Sequence, residues 1–200
     1  MPRLSSKEKY IKQIFNLYIN KGLYLNMENI AEELHITKKT LYNNFESKEE
    51  MISTVVEHFF FNLEEKIIDY LNNSSNAIES LIGLVHILHS EIDRLGTRLL
   101  EDVSNENLGV FTYTSRSSFY FRVIKDNLIR GIKEKLYRED IDIELCTLFY
   151  TSAIELFYKK GNIQKYMNDS CKFHSELVKH HLYSVVKPEC IGMLESYLVK

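Results

Sequence analysis

Glycine and proline are scarce in this chain, 7 and 2 among 200 residues, and tryptophan is absent. A chain of this size built from strands needs many tight turns, so the scarcity excludes most all-β designs and favours long helices. The three cysteines, Cys146, Cys171 and Cys190, are far apart and form no CxxC pair. An odd, scattered set without a secretory leader excludes a disulfide scaffold and fits reduced thiols in a cytoplasm. No apolar run approaches the roughly 20 residues of a membrane span, so no membrane partner is expected. The N-terminal MPRLSSKEKY lacks the apolar stretch of a signal peptide, and a cytoplasmic location follows as an expectation. Motifs of catalysis are missing as well: there is no Gly-rich phosphate loop, no GxSxG and no HExxH. Ser6 and Lys9 have a nucleophile-like spacing without its partner motifs. An enzyme is therefore not expected, nor a cofactor. His86 and His89 lie three apart and could face one metal, but no third ligand is evident, so no metal is expected.

What the chain does have begins with its charge distribution. The net charge of −3 conceals an asymmetry: residues 1–48 hold eight Lys/Arg against five Asp/Glu, and the remainder holds 17 against 23. A basic end on an acidic body points to nucleic-acid contact through that end. Apolar periodicity then lays out a string of helices. Tyr10, Ile11, Ile14, Phe15, Leu17 and Tyr18 form one stripe, closed by Gly22. Met27, Ile30, Ala31 and Leu34 form a short amphipathic helix with Asn26 as its N-cap. After His35-Ile36-Thr37 a third short helix follows, capped by Thr37, with Leu41 and Phe45 facing inward. Ser47 and Glu50 make a capping box opening a fourth helix that runs to about Asn73. Further helices are expected over Ala77–Arg94, Thr97–Val103, Thr114–Tyr137, Asp142–Lys160 and Gln164–Val186, with a last one after Pro188. The fold class is all-α: a three-helix head with a helix-turn-helix in residues 1–48, then a larger helical domain in residues 49–200.

The stretch from Asn26 to Lys48, NMENIAEELHITKKTLYNNFESK, carries the functional signal. Two short helices joined by three residues pack at a steep angle, and the second can lie in a DNA major groove. Ala31 is small enough for the crossing, and Ile36 anchors the turn. The outward face of the second helix is Thr37, Lys38, Lys39, Thr40, Tyr42, Asn43 and Asn44. No carboxylate stands among them, which suits contact with phosphates and base edges.

This stretch resembles the TetR family of bacterial regulators. The resemblance rests on Asn29-Ile30-Ala31, the run Ile36 to Tyr42, Phe45, and Ser47 to Met51. The spacing Leu-Tyr-x-x-Phe-x-x-Lys-Glu over residues 41–49 is specific to that family, and the motif-level likeness covers residues 8–60. It implies that Thr37, Lys38 and Lys39 approach bases, helped by Thr40. It implies that Tyr42 and Lys48 meet phosphates, that Asn43 reaches a base edge, and that Asn26 contributes at the head of the preceding helix. Arg3 and Lys7 are candidates for a minor-groove arm. The chain departs from the family's pattern at Lys39, where glycine is common, at Asn44, where histidine is common, and at Asn26-Met27, where threonine or serine is common. These departures bear on sequence preference.

A single short helix reads few base pairs, so a two-fold dimer on a palindromic operator is expected. By the family layout its interface lies on late helices: Phe149, Tyr150, Ala153 and Phe157 on one, Phe173, Leu177 and His181 on the next. The middle helices are expected to enclose a cavity for a small-molecule effector. Candidates are His86, His89, Phe111 and Tyr113, with Arg116, Phe119 and Tyr120. The function expected is thus a ligand-responsive repressor. The competing expectation is a helical adaptor, or an enzyme-like small-molecule binder, with no DNA role.

Overall fold

The computed structural model describes residues 6–105, 113–158 and 170–199. Among them the chain is helical: α1 Ser6–Lys21, α2 Met27–Glu33, α3 Lys38–Tyr42, α4 Lys48–Asn73, α5 Ala77–Asn105, α6 Tyr113–Lys133, α7 Ile143–Tyr158, α8 Ser170–Val185, a 3-10 turn Pro188–Cys190, and α9 Ile191–Leu198. No strand is present among the described residues, only an isolated antiparallel bridge between Tyr137 and Val186. The chain divides into two compact units. One contains residues 6–65 with 92–105, and the other residues 66–91 with the described residues from 113 onward. The boundaries therefore fall inside α4 and α5, each of which contributes to both units.

The first unit is built on the stripes that periodicity marks. Ile11, Ile14 and Tyr18 of α1 are buried, as are Met27, Ile30 and Ala31 of α2 and Leu41 of α3. Phe45 of the link before α4 and Met51, Val55 and Phe59 of α4 complete that core, and Leu95 and Leu99 enter it from α5. Phe15 stacks on Phe59 at 5.1 Å between ring centroids. The Arg94 guanidinium lies over both rings, 5.1 Å from Phe15 and 5.5 Å from Phe59. Gly22, at φ 83°, ends α1 and donates its N–H to Tyr18 O. Leu23 follows at once, and its buried N–H donates to Asp102 Oδ2 at 2.9 Å, 79 positions away in sequence.

In the second unit, the end of α4 packs against the start of α5. A Cβ on Gly83 would lie 2.0 Å from the Tyr70 hydroxyl, so only glycine allows that approach. Arg130 of α6 donates to Leu71 O, Ser74 O and Ser74 Oγ and pairs with Glu134, tying down the α4–α5 turn. The helix expected over Thr114–Tyr137 stops at Lys133 instead. Lys135 turns to φ 62°, Lys135 N–H bonds to Ile132 O, and Leu136 N–H bonds to Gly131 O. That is a left-handed helix stop built without glycine, which the sequence pattern does not flag. It folds the Tyr137 ring back against Gly131, where its hydroxyl donates to Asn127 Oδ1 at 3.1 Å. α5 consists of two helical segments, as expected, broken at Gly96, where φ 71° and ψ 158° are not helical.

Candidate nucleic-acid interface

The turn between α2 and α3 is closed by backbone bonds. His35 takes φ 54°, its N–H donates to Glu32 O, and Ile36 N–H donates to Ala31 O. This is the left-handed helix stop usually given to glycine, and here a histidine fills it. Asn26 caps α2, with its Oδ1 accepting from Asn29 N–H at 2.8 Å. Thr37 caps α3 in the same way, accepting from Thr40 N–H at 3.1 Å. The Thr37 and Thr40 hydroxyls share a hydrogen bond at 2.8 Å. One of the two O–H groups is thereby left to donate outward.

With Leu41 buried, the opposite face of α3 is turned to solvent. Thr37, Lys38, Lys39, Tyr42 and Asn43 are exposed, and Thr40 is half-buried. Tyr42 keeps 45% of its surface accessible, much for a ring that large, so its hydroxyl is available to an external partner. Asn44 is turned away, its side-chain amide donating to Thr40 O at 2.8 Å. One feature departs from the carboxylate-free face. Glu28, in the first turn of α2, pairs with Lys38 Nζ, which also sits 5.9 Å from the Tyr42 ring centroid. The Lys38 hydrogen bond holds the Glu28 carboxyl below its usual range, and Glu28 raises the Lys38 ammonium in turn. Lys39 makes no ion pair among the described residues.

The start of α4 completes the surface. Ser47 Oγ accepts from Glu50 N–H at 3.0 Å, and Glu50 Oε2 accepts from Glu46 N–H at 3.1 Å. The capping box forms, with the return bond reaching one residue further back than expected. Lys48 stands half-buried at the first helical position, next to the five-residue link from α3. Lys7 is taken up by Glu50 at 3.3 Å and by the Phe45 ring at 5.1 Å, so it fastens α1 to α4 and is not an arm. Arg3 lies outside the described residues.

The body candidates separate by burial. Phe119 and Tyr120 are buried, whereas His86 is exposed. His89 stacks on His174 at 5.7 Å between centroids. Phe111, and the side chains of Tyr113 and Arg116, lie outside what the structure describes, as does the side chain of Phe157. On α7, Tyr150 is buried and its ring meets His181 of α8 at 4.7 Å. These two belong to the unit's own core, because their rings face each other and not the exterior. The exposed apolar face of α7 runs instead through Leu145, Leu148, Phe149 and Leu156, with Phe149 at 67% accessibility. Ala153, Phe173 and Leu177 are half-buried. Glu28, Arg94, Asp102 and His174 are the residues that periodicity did not single out.

Residues 11–55 match the family described as bacterial regulatory proteins, tetR family. The transcriptional repressor KstR2 of Rhodococcus jostii is 28% identical over 142 residues, covering 66% of this chain and 68% of that one. A transcriptional regulator from Cytophaga hutchinsonii superposes with a TM-score of 0.73 at 18% identity, covering 90% of this chain and 98% of its own. A regulator from Saccharomonospora viridis, solved in complex with choline, gives 0.69 at 17% identity over 91% and 98%. The helix-turn-helix geometry, the exposed polar face of α3 and these likenesses agree: residues 11–55 form a head similar to that of the TetR family, and the chain is a DNA-binding transcriptional regulator.

Proposed function

We propose that the chain is a ligand-responsive repressor that binds a palindromic operator as a homodimer, with no catalytic role. The DNA-binding domain of residues 1–48 uses Thr37, Lys38, Lys39, Thr40 and Asn43 toward bases, and Asn26, Tyr42 and Lys48 toward phosphates. The observation that carries this reading is the exposure of the α3 polar face beside a firmly buried Leu41. A ridge held from below by an apolar anchor presents its side chains to a groove at little ordering cost.

Residues 49–200 form the binding and dimerisation domain. The α7 stripe supports the dimer. Leu148 and Phe149 lie one turn beyond Leu145, Leu156 lies two turns beyond Phe149, and all four are about half exposed or more. A contiguous apolar face of that kind is unusual on a monomer. Phe173 and Leu177 of α8 extend the interface, and packing against a second copy makes a four-helix bundle. The effector is a small molecule taken up among Phe119, Tyr120, His89 and their neighbours. α4 and α5 each run through both units, so an effector in one acts on the other through helices. The switch requires only a few kcal/mol of differential affinity. The repressor direction follows KstR2's.

Selection of duplexes from a random pool tests the reading. A palindromic consensus with half-sites about 34–36 Å apart is expected, one turn of duplex. A pool that returns no consensus, or a single unrepeated half-site, would overturn it.

A further inference from the structure

We propose that Glu28 is a specificity-determining residue, which withholds Lys38 from the phosphate backbone and so lowers affinity for DNA of arbitrary sequence. The inference rests on the DNA-binding reading above. α3 opens with two lysines, and the fold treats them differently. Lys38 Nζ is held between the Glu28 carboxylate and the Tyr42 ring. Lys39 has no such partner among the described residues. Glu28 is not a core group: its side chain is 55% accessible, and the side-chain cap of α2 comes from Asn26. What it does instead is place a carboxylate beside the surface that meets DNA.

Non-specific binding is a sum of phosphate neutralisations, and each one contributes to a salt-dependent slope. A lysine already paired releases no counterion when it meets a phosphate, and its carboxylate partner is repelled by the backbone at any sequence. The pair therefore subtracts from every complex alike. Base edges can recover the loss only at certain sequences. A cytosine N4 amino group donates to a carboxylate, and guanine O6 and N7 accept from an ammonium. Neutralising Glu28 should convert Lys38 into an ordinary phosphate contact.

The experiment compares wild type, Glu28→Gln, Lys38→Gln and the double variant. Each is titrated with the duplex recovered by selection and with a scrambled duplex of equal length, from 50 to 300 mM salt. Both side chains are exposed, and thermal melts check that every variant stays folded. Glu28→Gln should tighten scrambled-duplex binding about tenfold and steepen the salt slope by about one per bound protomer. Its preference for the selected duplex should fall by a similar factor. Lys38→Gln should weaken binding to the scrambled duplex, because the carboxylate is then unopposed. The double variant should return to the wild-type slope. If Glu28→Gln keeps the wild-type slope and preference, Lys38 already spends its charge on phosphate and the proposal fails. If Glu28→Gln weakens both duplexes equally, Glu28 only positions Lys38, and the proposal fails again. If wild type binds neither duplex, the DNA reading itself falls.

Discussion

Single residues decide how the recognition helix is presented. His35 holds a left-handed turn that costs a non-glycine residue about 1–2 kcal/mol. Glycine would relieve that cost but adds about 0.5–1 kcal/mol of unfolded-chain entropy. The relief is the larger, so His35→Gly should stabilise the chain by roughly 0.5 kcal/mol, read as a higher urea midpoint. A lower midpoint would show that the imidazole makes a contribution of its own. Lys48 acts through its charge. Lys48→Ala should weaken binding to every duplex alike and reduce the salt slope by about one, leaving sequence preference intact. A changed preference with unchanged affinity contradicts a phosphate role. At this scale the capping residues Asn26, Thr37 and Ser47 were legible in the sequence, since small polar side chains before an apolar repeat have few other uses. The Glu28–Lys38 pair was not. The two residues lie ten apart, and only the turn geometry brings them together.

Elements show where periodicity succeeds and where it stops. The stripe Met51, Val55, Phe59, Leu63 and Ile67 is buried as the repeat predicts, because a long helix offers one face to the core at each turn. The end of α6 escaped detection because its stop uses Lys135, and the side chain that enforces it, Tyr137, packs on a glycine six residues earlier. Tyr150 and His181 both occupy apolar faces, and their rings meet inside the unit. Periodicity reports which face is apolar without saying whether the neighbour is the same chain or another. The bond from Leu23 N–H to Asp102 belongs to this scale too, since it joins the end of α1 to the far part of α5. Asp102→Ala leaves a buried N–H without its acceptor and should cost about 1–3 kcal/mol. Asp102→Asn keeps a carbonyl oxygen in place and should recover most of that. Equal losses in the two variants would mean that the charge, and not the acceptor, matters.

At the level of the whole molecule, the buried histidines tie stability to pH. Burial pushes His174 and His181 down to about 4 from an ordinary 6.5, with His89 adding to the effect on His174. Between those values the unfolded chain takes up a proton at each site that the folded chain refuses. Stability from these groups is therefore complete above about pH 6.5 and falls as the pH drops, by up to about 1.4 kcal/mol per unit for each histidine. Urea unfolding at pH 7 and pH 5.5 should show that decline, and His181→Gln should reduce its slope by about half. A flat profile would mean that the imidazoles reach water.

The exposed polar face of α3, held from beneath by the buried Leu41, is the proposed DNA-binding surface. Its most direct test is the affinity of a Lys39→Ala/Tyr42→Ala/Asn43→Ala variant for the selected duplex in dilute salt, beside wild type. All three side chains are solvent-exposed, so the melting temperature should not move. A loss of at least a hundredfold in affinity is expected, with the association state unchanged. Wild-type affinity in that folded variant would contradict it.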